Sequence, residues 1–331
     1  MTKQHNIFNR RLGALFLASL ICALLLTPIS ASASNSGEPS HEVVKANTLH
    51  ELQAIFQELD YDWKRLDRGV PSFILTGFPQ DIGQGNDITL KKEAFFMGLL
   101  PMVLISNEEI AQQRATAMRL FKLQQQRTLS SAEKSTLAQL AASYKVKGNV
   151  LNEPDKQAEL IKRMDIIPPS LVLAQAANES AWGSSRFARL GNNLFGEWTF
   201  TPGTGIVPKG RPPGANYEVR KFSSIYASIK SYMKNLNTNA AYRELRSIRA
   251  DLRKANKEID GLSLAFGLKR YSQRGGAYIN EIQSMIRQNS LHNLNAVILR
   301  EKVSETVVSV AINGSGFFST RLRAVTALQG E

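Results

Sequence analysis

Cysteine is nearly absent from this 331-residue chain, occurring once, at Cys22. That residue lies inside an apolar run, with Leu20 and Ile21 before it where a lipid-attachment site would carry a small residue. If the chain is cut after Ala33, no cysteine remains, and disulfides, thiol nucleophiles and thiolate metal sites are excluded. Histidine is also scarce. Beyond the first residues it occurs at His41, His50 and His292, with no pair at ligand spacing. Neither a metal nor any other cofactor is expected. Alternating β-branched stretches are few and short, while Leu and Ala recur throughout, so the composition leans towards helices.

Long apolar runs are lacking too. Leu12 to Leu26 spans 15 residues, short of the ~20 that cross a bilayer as a helix. It follows a basic start (Lys3, Arg10, Arg11) and precedes Ala31-Ser32-Ala33, the pattern of a cleavable export signal over residues 1–33. The expectation is a periplasmic protein, or an inner-membrane-associated one if the segment is kept. Acidic residues are outnumbered, giving a formal charge of +13, and the chain stays strongly basic without Lys3, Arg10 and Arg11. In the cytosol such a charge would suggest nucleic acid. Outside the inner membrane it suggests envelope polyanions, such as peptidoglycan carboxylates or lipid phosphates. No nucleic-acid partner is therefore expected.

What is present is helical patterning. Leu49, Leu52, Ile55, Phe56, Leu59 and Leu66 recur at helical spacing until Gly69-Val70-Pro71, and a Gly-rich turn covers Pro79 to Asn86. Leu90 to Leu123 carries a long apolar stripe that Pro101 is expected to kink or divide. Ser130 and Glu133 mark a capped helix start. Residues 34–150 thus form an N-terminal helical region, a candidate docking unit for another envelope protein. Asp155 to Arg163 is helix-compatible. Asp165 to Pro168 is extended before its prolines, and a helix follows from Pro169 to Ala181. Glycines and prolines crowd Phe200 to Phe222, which reads as a small β-hairpin or irregular lobe. Helical patterns return at Ile225 to Leu236, Ala241 to Ala255 and Ala277 to Gln288. The tail, 296–331, has a strand-like run from Val303 to Ile312 and no legible role.

Chemistry concentrates in Ala174-Gln175-Ala176-Ala177-Asn178-Glu179-Ser180-Ala181-Trp182-Gly183. Glu179 falls at the C-terminal end of a predicted helix, where the negative end of the macrodipole disfavours a carboxylate. Desolvation by Trp182 would push the same way. A carboxylic acid still protonated near neutrality can donate to a departing glycosidic oxygen. The competing reading is a polar residue that merely lies near a helix end.

This stretch, followed by Gly191-Asn192-Asn193-Leu194-Phe195-Gly196, resembles the signature of the glucosaminidase domain, glycoside hydrolase family 73, found in flagellar rod-associated peptidoglycan hydrolases and many autolysins. Ile166-Ile167-Pro168-Pro169-Ser170, Gly214-Ala215-Asn216-Tyr217-Glu218-Val219-Arg220 and Ser231-Tyr232-Met233-Lys234-Asn235-Leu236-Asn237-Thr238 are similar to Bax-type bacterial envelope proteins. So is the upstream run from Lys91-Lys92 through Phe95-Phe96 to Leu100-Pro101. The resemblance implies a mainly α (α+β), lysozyme-like catalytic domain over residues 151–295, with a small β-hairpin lobe flanking a groove. It implies Glu179 as general acid and peptidoglycan glycan strands as substrate.

The candidate second carboxylate is Glu218, whose spacing from Glu179 is similar to the family's, or else an exposed strand glutamate paired with Arg220 or Lys221. Glu197 is a weaker rival, and assistance by the sugar's N-acetyl group is a further route. Tyr271 and Tyr278 lie in Arg270-Tyr271-Ser272-Gln273-Arg274-Gly275-Gly276-Ala277-Tyr278, similar to the family's late tyrosine motif. There the first tyrosine lines the cleft; Tyr278 would bind substrate or pack in the core. Asn193 is a substrate-binding candidate from the Asn-Asn-Leu-Phe-Gly motif. Trp182 and Phe195 would line the sugar groove or pack beneath it. The basic run Arg243, Arg246, Arg249, Arg253, Lys254 and Lys257 reads as a solvated, salt-bridged helix face. The expected activity is endo-β-N-acetylglucosaminidase. A muramidase or lytic transglycosylase is the alternative in chemistry, though the Gly-Leu-Met-Gln motif of transglycosylases is absent. A non-catalytic glycan-binding or scaffold protein is the alternative in class.

Overall fold

A computed structural model describes residues 41–84 and 87–300. The expected export signal with Cys22 and the strand-like run at 303–312 lie outside these residues. Among the described residues the elements run β1 (Glu42–Val44), α1 (Leu49–Glu58), β2 (Phe73–Leu75), α2 (Ile88–Gln124), α3 (Ser131–Ser143) and α4 (Pro154–Arg163). Then follow α5 (Pro169–Ser180), α6 (Arg186–Gly191), β3 (Trp198–Thr199), β4 (Gly205–Ile206), β5 (Glu218–Arg220), α7 (Ile225–Thr238), α8 (Arg243–Lys254), α9 (Gly261–Ala265) and α10 (Gly276–Gln288). The fold is mainly helical and lysozyme-like, as expected. No helix among the described residues is long and apolar enough to cross a membrane.

The Gly- and Pro-rich lobe is a three-stranded antiparallel sheet ordered β3-β5-β4, with Trp198 opposite Val219 and Ile206 opposite Val219 on the other side. A second, parallel pair joins β1 to β2, with Val44 opposite Leu75.

Helix α5 is the axis of the fold. Pro169 to Ala177 is buried on every side, and α2, α9 and α10 pack around it. One apolar core runs through Leu52, Phe73 and Phe95 to Leu171, Ile229 and Ile282, so it draws on both sides of position 150. A smaller core (Leu120, Leu137, Tyr144, Leu160) ties the far half of α2 to α3 and α4. Pro101 does not divide its helix: α2 runs unbroken through it and is 37 residues long in all. Ala94 to Asn107 is buried all round, and that packing outweighs the roughly 3 kcal/mol a mid-helix proline costs. At the start of α3, Ser130 and Glu133 form the full reciprocal cap.

The basic run on and after α8 is only in part a solvated face: Arg243, Arg253, Lys254 and Lys257 are exposed, but Arg246 and Arg249 are not. Arg246 and Arg249 are 2% and 1% exposed. Arg246 donates to the carbonyls of Leu236 (2.9 Å) and Asn239 (2.8 Å). Arg249 donates to those of Asp165, Ile166, Lys162 and Arg163, and to Asn237 Oδ1 at 2.7 Å. Arg253 holds both carboxylate oxygens of Asp165 at 3.2 and 2.9 Å. The segment before α5 is extended because of Pro168 and Pro169, so its carbonyls have no helical partners, and buried carbonyls must find donors elsewhere. The arginines supply them. Burial lowers the Arg249 pKa to about 10, still charged at neutral pH. Burial opposes the Asp165 charge, but Arg253's hydrogen bonds and the charges of Arg249 and Arg114 hold its pKa below the usual value.

Replacing Arg249 by Leu strands these carbonyls and part of Asp165's charge in the interior. The expected loss is about 3–5 kcal/mol in urea denaturation, against less than about 0.5 kcal/mol for Arg243→Ala on the exposed face.

Candidate active site

Gln175 and Glu179 lie one turn apart on the same face of α5, and Glu179 occupies the helix's last turn. Beyond Ser180 the chain reverses through three left-handed residues, Ala181 (φ +51°), Trp182 (φ +59°) and Gly183 (φ +75°). Ser180 Oγ holds the turn, donating to the Ala176 carbonyl (2.6 Å) and accepting from the Gly183 amide (2.8 Å). Two successive non-glycine residues in this region store strain. Gly183 has a further constraint, since a Cβ there would sit 3.0 Å from Phe78.

The Glu179 side chain is half-buried, and burial raises its pKa against the pull of its hydrogen bonds. Tyr278 Oη donates to its Oε1 at 2.8 Å, and Asn178 Nδ2 at 3.4 Å. The Tyr278 oxygen accepts from Gln175 Nε2 at 2.9 Å. The Gln175 amide oxygen in turn accepts from the Tyr232 hydroxyl. Gln175 is fully buried, so a directed chain of donors runs Tyr232, Gln175, Tyr278, Glu179. It leaves the Tyr278 proton one destination, the glutamate.

Glu179 opens on a cleft of about 680 Å³ whose walls include Phe195, Glu197, Trp198, Tyr232 and Tyr271. Phe195 stacks on Tyr232 with centroids 3.8 Å apart, and Tyr271 stacks on Tyr278 at 5.2 Å. Tyr271 Oη donates to the Phe195 carbonyl at 3.0 Å, joining the two stacks. Trp198 is half exposed on the sheet rim, edge-on to Tyr217.

The other expected residues fall elsewhere. Trp182 is not a cleft wall; it packs on Phe95 and Phe96 of α2, with Lys92 Nζ 5.0 Å from its ring centroid. Asn193 is 2% exposed and brackets the sheet. Its Nδ2 donates to the Glu197 and Arg220 carbonyls (2.8 and 2.9 Å), and its Oδ1 accepts the Glu197 amide (3.0 Å). Glu218 is also absent from the cleft lining. Its two oxygens accept the amides of Gly203 (3.0 Å) and Gly205 (2.8 Å), which hold its pKa below the usual value. Gly205 passes so close to β5 that a Cβ would lie 2.5 Å from the Val219 carbonyl. Glu218 therefore clasps the lobe together.

Glu197 does line the cleft. Its Oε2 accepts from Ser231 Oγ at 2.8 Å and lies 3.9 Å from Arg220, while its buried Oε1 has no hydrogen-bond partner among the described residues. Burial raises its pKa. No group of three or more metal-ligating side chains occurs among the described residues.

Residues 155–291 match the glucosaminidase family model, described as mannosyl-glycoprotein endo-beta-N-acetylglucosaminidase. Protein bax of Escherichia coli strain K12 is 38% identical over 206 residues, covering 61% of this chain and 70% of that protein. The chain belongs to the Bax-type proteins with a glucosaminidase domain. No solved structure gave a significant match. The glucosaminidase domain supports a peptidoglycan-hydrolase-like function and peptidoglycan as the substrate.

In this Bax-type chain, sequence reasoning passed over Gln175 and Tyr232, quoted in the motifs without a role. Their signal was available: a glutamine one helical turn from the acid on a face otherwise apolar needs a buried partner. Nothing in the local sequence marks Trp198 as a rim residue.

Tyr278→Phe removes a hydrogen bond that favours ionised Glu179 and leaves burial unopposed by it. The Glu179 carboxyl is expected to titrate at higher pH than in the wild type, read by carbon-13 NMR of labelled glutamate. An unchanged or lower midpoint would refute the relay.

Proposed function

We propose that this protein is an endo-β-N-acetylglucosaminidase of peptidoglycan, with Glu179 as general acid. One observation carries the reading: a half-buried, tyrosine-tethered glutamate, its pKa raised by burial, opens on an aromatic-walled cleft. Protonated Glu179 gives its proton to the bridging oxygen as the bond from anomeric carbon to oxygen breaks. The reducing-end fragment leaves as an alcohol, and positive charge spreads over the ring carbon and ring oxygen. Water then adds to the anomeric carbon and loses a proton. Trp198, half exposed, offers its ring for sugar contact, with Tyr271 in the wall and Phe195 packed behind it.

For the group that receives the water's proton, Glu197 has the better support. It lines the cleft and one of its oxygens has no hydrogen-bond partner among the described residues, whereas Glu218 lies outside the lining and both its oxygens would first have to leave the Gly203 and Gly205 amides.

Digestion of purified peptidoglycan, with mass spectrometry of borohydride-reduced fragments, tests the bond and the residues together. Wild type should give reduced N-acetylglucosamine ends. Glu179→Gln should slow release by about 10²–10⁴-fold. Glu197→Gln should slow it by about 10²-fold or more, and Glu218→Gln by less, with a looser lobe in hydrogen exchange. Reduced muramic acid or anhydro-muramic ends would make it a muramidase or transglycosylase. Binding without cleavage by folded wild type would make it a glycan-binding module.

A further inference from the structure

Part of the cleft wall comes from chain outside the family match. Lys145 lines the same cleft as Glu179 but lies in the turn after α3, ahead of residues 155–291. Across from it on α7, Lys234 also lines the cleft, one turn from the Ser231 that holds Glu197. The Lys234 ammonium is fixed in position. It donates to Ser143 Oγ at 2.6 Å and lies 3.7 Å from the Tyr144 ring centroid. The α3 turn therefore supports one lysine while presenting the other.

Neither lysine has a carboxylate within ion-pair distance among the described residues. Their neighbour Lys230 does, pairing with Glu109 at 2.6 Å. Lys234 is driven to a pKa of about 8 by burial and by the charges of Lys145 and Lys230. An ammonium desolvated among like charges is unfavourable, and an arriving anion would relieve that cost. A positive wall inside a cleft also concentrates anionic ligand there.

We propose that Lys145 and Lys234 form a carboxylate-binding subsite of the glycan cleft, recognising the acidic substituent of a muramic acid residue next to the cleavage point. The inference rests on the peptidoglycan reading above and deepens it. A homopolymer of N-acetylglucosamine has no such group. In peptidoglycan every second sugar bears a lactyl ether, which carries either a peptide with free carboxylates or, when stripped, its own carboxylate. The subsite makes the region before the family domain part of substrate selection.

The test is affinity in the full chain carrying Glu179→Gln, so that turnover does not consume the ligand. Three soluble glycans of equal length are compared by calorimetry: peptide-bearing peptidoglycan fragments, the same fragments stripped by an amidase, and chitin oligosaccharide. The preference for peptide-bearing fragments over chitin oligosaccharide should fall about 5- to 30-fold when Lys145→Gln and Lys234→Gln are combined. It should survive in Lys145→Arg with Lys234→Arg, a control for the fold and the charge. If the stripped fragments keep the preference, the subsite takes the freed lactyl carboxylate as well as those of the peptide; if they lose it, the peptide carboxylates alone are bound. An unchanged preference in the doubly neutral variant would overturn the subsite and leave the glucosaminidase reading intact. Wild-type protein that neither cleaves nor binds any of the three glycans would overturn both.

Discussion

The geometry of the site depends on how the chain enters α5. Pro168 and Pro169 start the helix but deny the preceding residues any helical partner, so Asp165, Ile166 and Ile167 cross the interior with exposed polar backbone. Asn107 from α2 answers at Ile167, giving to its carbonyl at 2.8 Å and taking its amide at 3.0 Å. Asn237 from α7 and Arg249 from α8 both give to the Asp165 carbonyl. Three helices distant in sequence are thereby keyed to one short segment. The helix that leaves it inherits a fixed axial position and rotation, which Glu179 needs if its carboxyl is to meet Tyr278 from α10.

At its other end α5 stops abruptly, and that matters as much. Had the helix run on, Glu179 would lie mid-helix with its side chain between neighbours. The left-handed turn at Ala181, Trp182 and Gly183 instead turns the chain back against Phe95 and Phe96 of α2, which receive Trp182, and Phe78 after β2, which meets Gly183. The strain of that turn is offset by aromatic packing contributed from before position 150. So the N-terminal region bears on the acid from both directions: Asn107 at the start of its helix and the phenylalanines at its end.

Much of this was legible in the sequence, and the exceptions have physical causes. The helix carrying Glu179, its proline start and its stop near Gly183 follow from local rules. So does the capped start of α3. Arg246 and Arg249 of α8 were misread because a helix with arginines every turn and acids between them looks solvated. Only tertiary structure reveals that the Asp165 segment needs donors. Asn193 was read as a ligand contact because it lies in the recognised motif, and Trp182 as either a groove wall or a packing residue, yet each serves the scaffold that holds the cleft. Glu218 illustrates the limit of spacing as a guide: distance along the chain cannot say whether a strand glutamate faces a groove or the amides of its own turn. Pro101 was overruled by burial on all sides, a property of the assembled core.

The distribution of cations separates the two uses of positive charge more sharply than the total of +13 does. Where several carbonyls must be met at once in the interior, arginine occurs: Arg114 gives to the Ile161 and Met164 carbonyls, Arg163 to those of Tyr144 and Lys145, and Arg249 to a whole segment. A rigid fork with five donors suits that task. Along the cleft the cations without carboxylate partners are lysines, compact charges on flexible stems that can follow a ligand. Arg163 links the two groups, because the carbonyls it fixes belong to Tyr144, the ring under Lys234, and to Lys145 itself. The arginine framework thus anchors the turn from which the lysines act, and the charge of the cleft wall is set by the same network that sets the helix of the acid.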